Sequence, residues 1–211
     1  MSFFTAMGVI AGLAVFIDFG LYILSIFGWN YKLQRISPSD RSKPSRATWF
    51  IWTLLGVTIT VNYYNTGATD TLPSAIMYAI GYFTVAICSI FYGENHTDEN
   101  GQQRVFNLAD KLSMLGAFLC VLVWLQRSAE FTLYATLIVY LFGACPTFIK
   151  TWKRPWSEDK IAWTATVVGN GFNVLAVDWR IAGLPVYLYP LFFFVVDGIV
   201  ALFTYRRVSR A

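Results

Sequence analysis

Charge is scarce in this chain. Only 13% of its 211 residues are Asp, Glu, Lys or Arg, against about a quarter in an average soluble domain, which excludes an ordinary water-soluble fold. Histidine is nearly missing. The single His96 sits in the polar stretch GENHTDENGQQR, so His-ligated haem and His-rich metal sites are excluded. The three cysteines, Cys88, Cys120 and Cys145, fall within or at the ends of apolar runs without paired spacing, so free thiols are expected. No nucleophile stands beside a base, no phosphate loop is present, and acids cluster only in GENHTDENGQQR, where Asp98 and Glu99 are weak cation candidates. The expectation is therefore a protein that is not an enzyme and carries no cofactor and no metal.

What the chain has in abundance is apolar surface: 56% of residues are hydrophobic and 18% aromatic. Charge-poor runs extend over Phe3 to Phe27, Ala47 to Asn65, Leu72 to Tyr92, Phe106 to Gln126, Phe131 to Ile149, Ile161 to Val177 and Ile181 to Tyr205. Each is near the roughly 20 residues a helix needs to cross about 30 Å of hydrocarbon. The runs are continuous and do not alternate, which argues for helices and against a closed barrel. The first run lacks a basic leader, carries Asp18 in its middle and offers no small-residue cleavage site, so it is read as a helix and not as a signal peptide. The sixth is the shortest and holds Asn170 and Asn173. Seven transmembrane helices are predicted, an all-α membrane protein. A microbial rhodopsin is excluded, because the last run contains no lysine for a retinal Schiff base.

Basic residues set the orientation, since Lys and Arg accumulate in cytoplasmic loops. Lys32, Arg35, Arg41, Lys43 and Arg46 follow span one; Arg104 and Lys111 precede or open span four; Lys150, Lys153, Arg154 and Lys160 lie between spans five and six; Arg206, Arg207 and Arg210 form the tail. That is fourteen of sixteen, leaving Arg127 and Arg180 for the other face. The N-terminus is thus expected outside and the C-terminus in the cytosol. The net charge of +4 is a topology signal, and a nucleic-acid partner is not expected; the basic face suits anionic membrane lipid. The Asn-x-Thr sequon at Asn95 falls on the cytosolic side, so glycosylation is not expected.

The chain also repeats itself. SKPSRATWFIW at 42–52 and KRPWSEDKIAW at 153–163 both place a basic residue before proline and a tryptophan eight residues after it. A shift of 111 residues superimposes Pro44 on Pro155, Trp52-Thr53 on Trp163-Thr164 and Asn62 on Asn173; with a one-residue slip Leu72-Pro73 matches Leu184-Pro185. Spans one to three therefore correspond to spans five to seven. A three-helix unit reverses its direction in the membrane, so two copies point the same way only if one helix intervenes, and span four supplies it. The expected organisation is 3+1+3: residues 1–105 as the first triple-helix repeat with its cytosolic loops, 106–127 as the linker helix and 128–211 as the second repeat.

A three-plus-one-plus-three plan with the N-terminus outside resembles the SWEET and PQ-loop superfamily, which includes sugar facilitators, lysosomal amino-acid exporters, nicotinamide riboside carriers and the KDEL receptor. The stretch CPTFIKTWKRPWSEDKIAW is similar to the PQ-loop pattern, with Pro146-Thr147 where that family often has Pro-Gln. The first copy departs from it, Tyr31-Lys32 standing in place of the proline pair. KPSRATWFIW and PTFIKTWKRP also resemble a group of bacterial seven-helix membrane proteins. The resemblance covers most of the chain in architecture and about 40 residues in motif. It implies a carrier fold in a bacterial inner (plasma) membrane and names no cargo; a homo-oligomer is compatible with it.

Two constellations are candidates for function. Asp18 and Asp197 lie near the middles of spans one and seven without an evident cationic partner. A central aspartate costs roughly 2.5 to 3.5 kcal/mol on insertion scales, which marks both as candidates for proton coupling or cation binding, the structural alternative being a hydrogen bond that glues neighbouring helices. Asn62 and Asn173 each follow a tryptophan, Trp52 or Trp163, by ten residues, about 15 Å along a helix. If spans two and six face each other, the asparagines form a polar layer and the tryptophans an aromatic layer nearer the cytosol, and with Asn170 these are the candidate solute-binding residues. Thr164, Thr166, Gly169 and Gly171 add small or polar wall. Pro44 and Pro155 are expected at helix N-termini, with Ser45 and Ser157 near the caps and Glu158 and Asp159 at the positive dipole end. Pro73 and Pro185 are expected to open spans three and seven, and Pro146 and Pro190, inside spans, are candidate hinges. The expected function is a carrier or facilitator for a small polar or cationic metabolite such as a sugar, vitamin, nucleoside or amino acid, with proton coupling open. The alternative is a ligand-binding or sorting receptor of the same fold without net transport.

Overall fold

The computed structural model describes residues 1–97, 103–106, 108–124, 128–180 and 182–208. Asp98, Glu99, Arg127, Arg210 and the span limits Gln126 and Ile181 lie outside the described residues, as do the side chains of His96, Arg104 and Cys120. Seven α-helices occupy the seven apolar runs: α1 (Phe3–Ile26), α2 (Arg46–Asn65), α3 (Leu72–Tyr92), α4 (Leu108–Trp124), α5 (Ala129–Lys153), α6 (Lys160–Leu175) and α7 (Leu184–Thr204). Two of the polar connector's residues pair with two others as a short antiparallel ladder, His96 opposite Arg104 and Thr97 opposite Gln103. Cys88 and Cys145 are free thiols.

Local chemistry sets the helix limits. The Ser2 hydroxyl accepts from the Thr5 amide (3.0 Å), Ser45 from Thr48 (3.4 Å) and Ser128 from Phe131 (3.3 Å), each satisfying an amide that the first turn leaves free. Asp159 does so twice at the start of α6, accepting from Ile161 (2.9 Å) and Ala162 (2.8 Å). Pro73 and Pro185 sit in the opening turns of α3 and α7, where a missing N–H is harmless. Helices α1 and α2 both end on a glycine with positive φ, Gly28 and Gly67. Past each glycine the chain donates back into the last turn, Trp29 N to Leu24 O (2.9 Å) and Ala68 N to Tyr63 O (3.3 Å), the Schellman arrangement that only a residue tolerant of left-handed backbone allows cheaply.

The proline expectation needs correcting at two places. Pro44 lies before the capping Ser45 and outside α2. Pro155 opens a separate 3-10 turn, Pro155–Ser157, and the cap of α6 is Asp159. The extra turn matters because it swings Glu158 away from the dipole position and into the interior.

Helix α1 packs on α3 and α6, α2 on α3 and α5, α5 on α7, and α6 on α7, while α4 lies against α5 and α2. Four helices, α1, α3, α5 and α7, are long and apolar enough to cross a membrane, as expected of an integral membrane protein. Polarity is arranged accordingly. Large apolar side chains face outward, Phe16, Phe83, Phe142 and Leu202 among them at 57–71% exposed, whereas Asp18, Lys150, Glu158, Asn170, Asn173 and Asp197 are buried. A water-soluble protein places its charges the other way round; lipid accepts this distribution. In the α6–α7 connection Arg180 grips Asp178 through two hydrogen bonds (3.0 and 3.2 Å) that hold the Asp178 carboxyl below the usual carboxylate range.

Candidate functional site

The helices meet around a small chamber that both acids line, together with the rings of α1, α2, α3, α5 and α6. Asp197, 1% exposed, draws three helices to itself. Its Oδ2 accepts from Asn170 Nδ2 of α6 (2.9 Å) and lies 3.3 Å from the Tyr78 hydroxyl of α3, and its Oδ1 lies 3.3 Å from the Tyr140 hydroxyl of α5. Tyr78 also reaches Asn170 Oδ1 (2.8 Å), and Tyr82 meets Tyr140 hydroxyl to hydroxyl (3.1 Å). A phenol has one proton, so Tyr78 divides it between Asn170 and Asp197. Asp18 is simpler: its Oδ2 accepts from Thr166 Oγ1 of α6 at 2.6 Å. Neither acid forms an ion pair among the described residues.

Aromatic rings make the rest of the wall. Trp52 lies flat on Tyr140, centroids 4.9 Å apart and planes at 6°. Trp49 and Trp163 meet Trp52 edge to face at 5.1 and 6.4 Å, and Phe19 does the same to Tyr78 and Tyr82 at 6.0 and 5.5 Å. These are the offset and T-shaped contacts that ring quadrupoles favour. The remaining gap is about 20 Å³, room for about one water molecule. One polar atom of a lining residue, Trp52 Nε1, is buried without a hydrogen-bond partner, while the Tyr22 hydroxyl lies against Glu158 and Trp49.

Polar ties cross the bundle on either side of this chamber. At the C-terminal end of α5 and the N-terminal end of α6, Lys150 and Glu158 form an ion pair with side chains 5% and 1% exposed. Lys150 Nζ also donates to the Lys43 carbonyl (2.8 Å), and Trp163 Nε1 donates to Glu158 Oε2 (3.1 Å). The tie therefore joins the loop before α2 to α5, α6 and the chamber wall. At the opposite helix ends, the Tyr63 hydroxyl donates to the Val186 carbonyl (2.7 Å) and pairs with Thr71 (2.6 Å), and its ring packs on Tyr189 at 4.4 Å.

The sequence candidates divide into two groups. Asp18, Asp197, Trp52 and Trp163 line the chamber, and Asn170 holds Asp197. Asn62 and Asn173 do not line it: Asn62 donates to Thr58 O of its own helix (2.8 Å), and both amide atoms of Asn173 are buried without a partner. No hydrogen bond joins the two among the described residues, so the structure brings together the aromatic layer and not the asparagine layer. Pro146 and Pro190 both lie inside helices, α5 and α7.

Sequence reasoning missed Trp49, Tyr22, Tyr78, Tyr82 and Tyr140. The i, i+4 pair Tyr78 and Tyr82 was a usable signal, since two phenols one turn apart put two hydroxyls on one face of an apolar helix. Lys150 and Glu158 were read as a topology charge and a dipole charge; their burial together was not visible until the Pro155 turn was placed. Comparison with protein-family models, with curated proteins and with solved structures finds no match to this chain.

Proposed function

We propose that the chain is a seven-span carrier for a small polar or cationic metabolite, with the acid and aromatic chamber as its solute site. The observation that carries this is the chamber itself: two buried carboxyl groups, one from α1 and one from α7, facing a ring-lined gap at the middle of a bundle whose exterior is apolar. Buried acids at such depth are costly and are retained where ions, protons or solutes pass, and a few polar groups among aromatic faces are the composition of a small-molecule site.

The 3+1+3 plan is part of the same proposal. Supporting it, α1 and α2 each pack on α3 as α5 and α6 each pack on α7, and the two sets join through the reciprocal pairs α1 with α6 and α2 with α5. Exchange of the two sets reproduces this pattern, with α4 left over as the linker. Of the three helices not both long and apolar enough by themselves, α4 and α6 are shorter, at 17 and 16 residues, and α2 and α6 bury polar side chains. Thr48, Thr58, Asn62, Thr166, Asn170 and Asn173 are buried, and Thr58 and Thr60 return their hydroxyl protons to their own helix at 3.0 and 2.7 Å. With the basic loops in the cytosol, the N-terminus lies outside and the membrane is a bacterial plasma membrane. This is the arrangement that the SWEET and PQ-loop resemblance implies.

Purified protein reconstituted into liposomes tests the carrier directly. Saturable counterflow of a metabolite that also stabilises the protein in detergent is expected. Ligand-dependent stabilisation with no flux in either direction replaces the carrier with a receptor of the same fold.

A further inference from the structure

Resting on the reading of the chamber as the solute site, we infer that its ligand is a small organic cation that carries a hydrogen-bond acceptor, a hydroxyl or carbonyl, a few ångströms from the charge. Two independent features lead there. Among the described residues the wall holds two carboxyl groups and no Lys, Arg or His, and the lining rings of Tyr78, Tyr82, Tyr140 and Trp52 offer a cation their negative faces once they part. Asp197 is held by neutral donors alone, and Asp18 by one hydroxyl. An anion meets two carboxyl groups and no cation to offset them, whereas an ammonium or guanidinium group meets both its charge partner and cation–π faces in a water-poor site.

The second feature is an orphan group. Buried polar atoms are almost always hydrogen-bonded, and an exception calls for a reason. Here one exception is the indole N–H of Trp52, a residue 1% exposed that lines the chamber. The indole is a donor only, so its complement is an acceptor. A ligand with its cationic centre between the acids therefore has its acceptor within reach of Trp52. The gap of about 20 Å³ is too small for any such molecule, so the rings part to admit it, and Trp49, Trp52 and Trp163 report the event.

The test titrates wild-type protein, in maltoside free of choline lipids, with three probes while tryptophan emission is followed. Choline has the charge and the acceptor, tetramethylammonium has the charge alone, and 3,3-dimethylbutan-1-ol is the uncharged shape of choline. Saturable choline binding, with the neutral alcohol weaker by at least about 30-fold and tetramethylammonium between them, is expected. Trp52→Phe keeps the ring and removes the N–H, so it should bring choline down to the level of tetramethylammonium. Equal binding of choline and the neutral alcohol, or no binding of any probe, overturns the inference; a choline preference over tetramethylammonium that survives Trp52→Phe overturns its acceptor half. Choline bound without flux in liposomes removes the carrier and leaves the cation site standing. A neutral solute carried without choline binding does the reverse.

Discussion

Asp197 is the residue on which most of the chamber's geometry converges. Three side chains from three helices reach it, so its replacement tests function and structure at once. Asp197→Asn keeps the size and the hydrogen-bonding capacity of the side chain and removes the ionisable group. It should abolish any pH dependence of uptake or binding while the protein stays folded, as checked by uptake at two pH values and by size-exclusion elution. An unchanged pH profile would remove proton coupling from this carboxyl. Lys150 and Glu158 support a stability prediction. Removing one member of a buried pair strands the other charge, so Lys150→Ala should lose about 3–5 kcal/mol. Replacing both with apolar residues of similar volume, Lys150→Met with Glu158→Leu, should recover most of that loss in reversible denaturant unfolding. Of these residues the acids were legible in the sequence, because charge in an apolar run is conspicuous. The tyrosines were less so: beyond the i, i+4 pair Tyr78 and Tyr82, with 12 tyrosines, 18 phenylalanines and 8 tryptophans in the chain, little local separates a chamber ring from a lipid-facing one, and packing assigns them.

Helices were the most readable level, since seven uninterrupted apolar runs leave the backbone few other ways to satisfy its hydrogen bonds. The observed limits fall within a few residues of the runs, and where they differ the cause is capping. Helix α6 starts at Lys160 because Asp159 accepts two amides, a local bond that hydropathy does not register. Asp159→Ala should cost about 1 kcal/mol and Asp159→Asn much less, measured by the same unfolding assay. The prolines inside α5 and α7 were visible as candidates, and the carrier proposal gives them a test. Pro146→Ala restores a backbone N–H in the helix, so the variant should be at least as stable as the parent. If α5 bends there during transport, its flux should fall at unchanged ligand affinity, a separation read from transport rate against equilibrium binding. Equal flux in the variant excludes Pro146 as a hinge.

At the scale of the whole molecule, the sequence spoke through the spacing of Pro44, Trp52 and Asn62 against Pro155, Trp163 and Asn173. The tryptophans of that spacing meet in the structure at 6.4 Å; the asparagines are not hydrogen-bonded to each other among the described residues, Asn62 being turned back on its own helix. The proposed orientation has a direct check. In a background without native cysteines, Ser39→Cys and Arg207→Cys should react with a membrane-impermeant thiol reagent only after the cells are opened, and Thr69→Cys and Arg180→Cys in intact cells. The reverse pattern inverts the topology, and labelling of residues 39 and 207 from opposite sides breaks the seven-span count.

One indole has two duties. Trp163 forms part of the chamber wall and at the same time steadies Glu158, which fastens Lys150 and, through it, the strand of chain at Lys43. A guest that tilts this ring slackens the clasp beyond it. On the carrier proposal, occupancy at the centre would be communicated to one rim of the bundle by a lever a single side chain long.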